Sequence, residues 1–138
     1  LPVAALDVVW SEKLDALITI GTFTRLREMA PALARALVPN EYDNGRSVSQ
    51  LDEPWYLVHG TADEVVPWKQ GEALHKLAKA KSGASFVVLG ATHRPDASQL
   101  LAILESVALH RRSGKLAADG LPKTVKLIPF GSGGPLNP

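Results

Sequence analysis

Asp63 and His93 are the two residues of this chain whose types and settings best suit proton transfer. Each follows a run that reads as a buried strand: WYLVH (55–59) precedes Gly60-Thr61-Ala62-Asp63, and SFVVL (85–89) precedes Gly90-Ala91-Thr92-His93, with Gly60 and Gly90 expected to let those loops turn sharply. In an open parallel sheet, ligands gather beyond the carboxyl ends of the strands, where both residues fall. A carboxylate bonded to one imidazole nitrogen fixes the tautomer. The other nitrogen can then take a proton from a serine hydroxyl, while the carboxylate stabilises the imidazolium that forms. An acid and then a histidine on successive strands make two parts of a catalytic triad, which a serine would complete. Either residue alone reads as an ordinary loop residue; the order and placement of the two together favour function.

The elements that must position them follow from the apolar periodicity. Residues 2–10 read as a helix with proline in its first turn. Residues 14–20 (LDALITI) read as a short buried strand ending at Gly21. From 24 to 38, Leu26, Met29, Ala30, Leu33 and Leu37 recur at helical spacing, with Pro31 expected to kink or divide the helix. Residues 40–54 are polar and rich in breakers, and read as turns. The strand at 55–59 is followed by a helix from Pro67 to about Lys81, whose predicted stripe is Ala73, Leu74, Leu77 and Ala78. The next strand covers 85–89. Asp96 and Gln99 then form a capping box for a helix that runs through Leu100, Leu101, Leu104, Val107 and Ala108 to about Arg111. Alternating strands and helices imply right-handed crossovers on a parallel sheet. Residues 1–120 read as this α/β unit, and 121–138 as a Pro/Gly-rich tail or arm, with 124–128 an edge strand or extended arm.

Composition excludes several functions. The 138 residues suffice for one core, and 46% hydrophobic with 21% charged content is that of a folded domain. A formal charge of +1 makes no electrostatic case for nucleic acid or an anionic membrane. No apolar run approaches the roughly 20 residues that span a bilayer. The absence of cysteine excludes disulfides, thiolate metal sites and a cysteine nucleophile. The four histidines show no metal-binding spacing, and no cofactor is called for. His59, closing its strand, reads as a structural hydrogen-bonding residue; Glu64 reads as solvent-facing, and His75 and His110 as plain helix residues. Trp10 and Trp55 read as core or edge residues. Thr22 and Phe23, after the first strand, are candidates to line a substrate pocket, as is Trp68 beside Asp63.

The segments LVHGTADEVVPWKQGEALHKL and VVLGATH, with LITIGTFTRLREMA upstream, resemble the alpha/beta-hydrolase superfamily, in particular its esterase, lipase and serine-peptidase-like members. The resemblance covers about residues 1–107 and implies a parallel sheet with flanking helices, the C-terminal portion of an alpha/beta-hydrolase fold. It further implies Asp63 as the acid and His93 as the base of a Ser-Asp-His triad that hydrolyses an ester, amide or thioester. The family's serine sits earlier, on a G-x-S-x-G elbow. That elbow is missing here; Gly131-Ser132-Gly133-Gly134 has the wrong spacing and chain order. The helix at 2–10 resembles the one that follows the elbow, which places the serine a few residues before Leu1. The chain, lacking an initiator Met, is therefore expected to be processed, excised or a gene fragment, inactive alone. Its expected partners are a small-molecule or peptide substrate and the missing N-terminal half of the domain. Self-association through an exposed sheet edge is the expected consequence of that gap. The alternative is a non-enzymatic binding or interaction module on a hydrolase-like fold; an acyltransferase on the same scaffold reads identically.

Overall fold

The structure, a computed structural model, describes residues 14–39, 43–78 and 82–132. The expected helix at 2–10, Trp10, the end of the helix at Lys81 and the tail from Gly133 lie outside the described residues. The remainder is a mixed α/β fold with one four-stranded sheet and flanking helices. The strands are β1 (Leu17–Ile20), β2 (Trp55–Gly60), β3 (Gly83–Val88) and β4 (Val125–Pro129), lying side by side in that order. β1, β2 and β3 are parallel, with Leu17 opposite Trp55 and Trp55 opposite Gly83; β4 closes the edge antiparallel to β3.

β2 lies inside the sheet and every one of its six residues is buried, so its sequence is a near-continuous apolar run instead of an alternating one. Its side chains divide between two cores. Trp55 and Leu57 pack with Val48, Leu51, Leu74 and Phe130 on one face. Tyr56 and Val58 pack with Phe86, Ile103, Val107 and Val125 on the other. The first face is covered by α2 (Asn44–Gln50) and α3 (Trp68–Leu77), the second by α4 (Ala97–Ser113). α4 starts at the capping box expected from Asp96 and Gln99, with Gln99 Oε1 accepting from the Asp96 amide at 3.0 Å, and stops at Gly114 in the left-handed conformation. The carboxyl-terminal arm belongs to this sheet. Phe130, just past β4, stacks on Trp55 with ring centroids 5.2 Å apart.

Pro31 divides the helical stretch at 24–38, leaving α1 (Leu26–Met29) before it and a 3-10 turn at Arg35–Leu37 after it. Pro31 forces Ala30 into extended geometry, with ψ at 147°, which ends the helix before its stripe can bury anything. Leu33 and Leu37 are consequently exposed. The segment 40–54, read as turns, contains α2. Its Asp43 accepts the Arg46 amide at 2.9 Å as an N-cap, so the Asp-Asn-Gly run begins a helix in place of a turn. In α3 the inward residues are Gly71, Leu74, His75 and Ala78, whereas Leu77 is half exposed. In α4 they are Ile103, Ser106 and Val107, with Leu101 and Leu104 outward. Neighbouring helical stripes differ by one position: the inward stripe of α3 carries His75, whose Nδ1 lies 2.7 Å from Ser85 Oγ on β3, and that of α4 carries Ser106, whose Oγ donates to Ala117 O at 3.2 Å.

Candidate active site

The loops after β2 and β3 leave the sheet at the same end and are laced together. The Ala62 amide donates to Ala91 O at 2.9 Å, and the Gly90 amide to Thr61 Oγ1 at 2.8 Å. Gly90 takes a φ of +70°, as the sharp turn into the His93 loop requires. Gly60 serves a different purpose from the turn expected of it. Its φ is not positive, but a Cβ there would overlap Ala91 O and Thr92 O, so its missing side chain lets the two loops touch.

This lacing brings Asp63 and His93 into contact. His93 Nδ1 lies 2.8 Å from Asp63 Oδ2, and the Asp63 side chain is fully buried while that of His93 is 37% exposed. The second carboxylate oxygen, Oδ1, accepts the amides of Val65 and Val66, each at 2.8 Å. Burial alone would raise the Asp63 carboxyl. The Val66 amide, the His93 ring and the Val65 amide together outweigh it and hold the group below its ordinary value. An ionised Asp63 accepts from the His93 Nδ1–H, so the proton resides on Nδ1 and the lone pair on Nε2. Among the described residues Nε2 has no hydrogen-bond partner. The pair can therefore take a proton from a hydroxyl presented at Nε2 and stabilise the resulting cation.

Gly21, where β1 ends, presses on this pair. At a φ of +58°, a Cβ on it would stand 2.6 Å from His93 Cε1, 2.7 Å from Nδ1 and 3.2 Å from Asp63 Oδ2. Its role could have been sought from the sequence, because a glycine directly after a buried strand at the ligand-binding rim often marks a close backbone approach. Thr61 carried no such signal: only the folded lacing shows its use.

A cavity of about 360 Å³ opens beside His93, with Thr22, Phe23, Ile20, Val65 and Val66 in its wall. Trp68 is not among the residues that line it. It packs edge-on against His59, ring centroids 5.4 Å apart, behind the Asp63 turn. His59 itself bonds through Nε2 to Val66 O at 2.7 Å, and Glu64 is exposed. Ser132 Oγ donates to Pro129 O at 2.7 Å. No group of three or more potential metal-ligating side chains occurs among the described residues, and no described helix is long and apolar enough to cross a membrane.

No family model matches the chain, and no curated protein matches it. Among solved structures it is similar to the esterase domain of a Rhodothermus marinus protein, with a TM-score of 0.56 and 20% identity. The chain shares its fold with an esterase domain. The match covers 80% of this chain and 54% of that one, so the chain spans about half the length of this esterase-domain structure. At this identity the likeness is one of fold.

Proposed function

We propose that the chain supplies the acid and the histidine of a serine hydrolase of the alpha/beta-hydrolase type, acting on an ester, amide or thioester bond. The observation that carries this reading is the 2.8 Å contact between buried Asp63 and partly exposed His93 at the mouth of a cavity. In this reading Asp63 orients His93, and His93 takes the proton of a serine hydroxyl as that oxygen attacks the substrate carbonyl. The imidazolium then returns the proton to the leaving group. In a second cycle His93 takes a proton from water as it attacks the acyl-enzyme and gives it back to the serine oxygen as the acid departs. Thr22 and Phe23 contact the substrate.

The serine and the oxyanion hole would come from a segment N-terminal to Leu1, in the order Ser, Asp, His. Two observations support that arrangement: no described serine hydroxyl bonds to His93, and the chain spans only about half of the esterase-domain chain it resembles. The partner segment would pair along β1 on the side away from β2, where Ile20 is 44% exposed.

A fluorophosphonate probe tests the reading. It should label the protein carrying that upstream segment at a serine before Leu1, and the label should vanish in His93→Ala. The 138-residue chain alone should not be labelled, and should self-associate on light scattering across a dilution series. Stoichiometric labelling of a serine within the chain would overturn the assignment of the nucleophile. No labelling of the longer protein would leave the binding module as the reading.

A further inference from the structure

Behind Asp63 stands a second histidine that the proposed chemistry does not use. His59 occupies the last inward position of β2, and its side chain is fully buried. Packing alone does not account for a histidine there. Its Nδ1 is buried without a hydrogen-bond partner among the described residues, a cost that an apolar ring would avoid. α3 makes room for it at a further cost. A Cβ on Gly71 would stand 2.6 Å from His59 Nδ1 and 2.9 Å from Cγ, so the middle of the helix carries a glycine where alanine would be the better helix former. Trp68 covers the ring edge-on. Two unfavourable features thus converge on the placement of one ring, and what that ring does is donate Nε2–H to Val66 O at 2.7 Å.

We propose that His59 is a positioning residue for the Asp63–His93 pair. Its bond to Val66 O holds the turn whose Val65 and Val66 amides grip Asp63 Oδ1, and so directs Oδ2 at His93. The inference rests on the reading of Asp63 and His93 as a working acid–histidine pair. The ring must also remain neutral to do this. His59 Nε2 lies 3.6 Å from Asp63 Oδ2, the oxygen His93 uses, and a charged ring would compete for it. Burial pushes the His59 ring below its ordinary value, against the Val66 carbonyl and Asp63, with the nearby His93 adding to the depression. Asp63 and His93 are the ionisable groups acting on it; from α3, Gly71 and Trp68 present no charge.

The test is solvent exchange of the His93 Nδ1 proton and of the Val65 and Val66 amides, followed by NMR on the protein labelled with nitrogen-15. In His59→Phe, which keeps a buried ring and loses the donor, all three should exchange at least about tenfold faster, the factor for one ordinary hydrogen bond. His59→Gln, whose amide can reach the same carbonyl, should return them to within about twofold of the parent rates. Parent-like exchange in His59→Phe overturns the proposal, and so does equal loss in His59→Gln. A Phe variant that does not melt cooperatively passes the question to Gly71→Ala, which displaces the ring without removing it. There, faster exchange supports the proposal and unchanged exchange overturns it. No readout needs turnover, so a protein that shows these responses but has no hydrolase activity refutes the reading of function and leaves the positioning role intact.

Discussion

His75 and His93 bring Nδ1 to an oxygen at nearly the same distance, and only His93 of the two borders a cavity. His75 Nδ1 lies 2.7 Å from Ser85 Oγ, which on distance alone is a base beside a nucleophile. Both residues are buried in the first core, Phe130 lies 5.1 Å from the imidazole, and neither lines the cavity beside His93. Burial pushes the His75 ring below its ordinary value, and no carboxylate contributes to hold the charged form. His93 has the opposite setting: a buried carboxylate behind it, a cavity before it and partial exposure. The hydrogen bond is common to both. Access and a compensating charge separate a site from a satisfied core pair.

The largest effect should come from removing that charge. Asp63→Asn in the protein carrying its serine should lower turnover by on the order of 10⁴-fold, because the amide favours the wrong His93 tautomer. Steady-state kinetics on an activated ester would measure it; a change under about tenfold would mean that Asp63 is not the acid. Gly21→Ala should come next. The added Cβ would sit 2.6 Å from His93 Cε1, and a displacement of the ring approaching 1 Å should cost about 10²-fold in turnover. The φ of +58° should add about 1–2 kcal/mol of strain, read from denaturant melts.

Ser85→Ala addresses the other pair. It should leave turnover within about twofold of the parent and destabilise the fold by about 1–3 kcal/mol, because His75 Nδ1 loses its partner in the core. A large loss of turnover with little loss of stability would make His75–Ser85 the functional pair.

The smallest effect should be on pH dependence. His59 and His75 have folded-state values below the ordinary 6.5, so the folded protein binds fewer protons than the unfolded chain. Their stabilising contribution is complete above about pH 6.5 and is lost as pH falls through the lowered values. Asp63, also lowered, acts in the same direction in a more acid window, complete above about pH 4 and lost below it. The Tm should therefore fall on acidification from pH 7.5 to 5.5 and again below pH 4. His75→Leu should reduce the first fall; a Tm that rises on acidification in the first window would contradict the assignment.

The apolar patterning made much of this fold legible. β2 and β3 carry β-branched and aromatic runs of strand length, and α4 announces its start through Asp96 and Gln99. The division at Pro31 is legible too, but the segment 40–54 reads as turns because its local signal is ambiguous: Asp43-Asn44-Gly45 suits a turn as well as a helix cap. Which stripe of α3 turned inward was also open, since choosing His75 over Leu77 required a hydroxyl on β3 to receive it.

Chain order and residue type alone were enough to bring Asp63 and His93 forward as a pair, because successive parallel strands must end on the same side of their sheet. The separation of 2.8 Å, the cavity at His93, the Gly21 backbone pressed against the ring and the seating of His59 behind the carboxylate came from packing. A strand pattern encodes direction and face, which are local properties of the chain. Contact between loops 30 residues apart depends on volumes that meet only in the folded core, such as the missing side chains at Gly60 and Gly71.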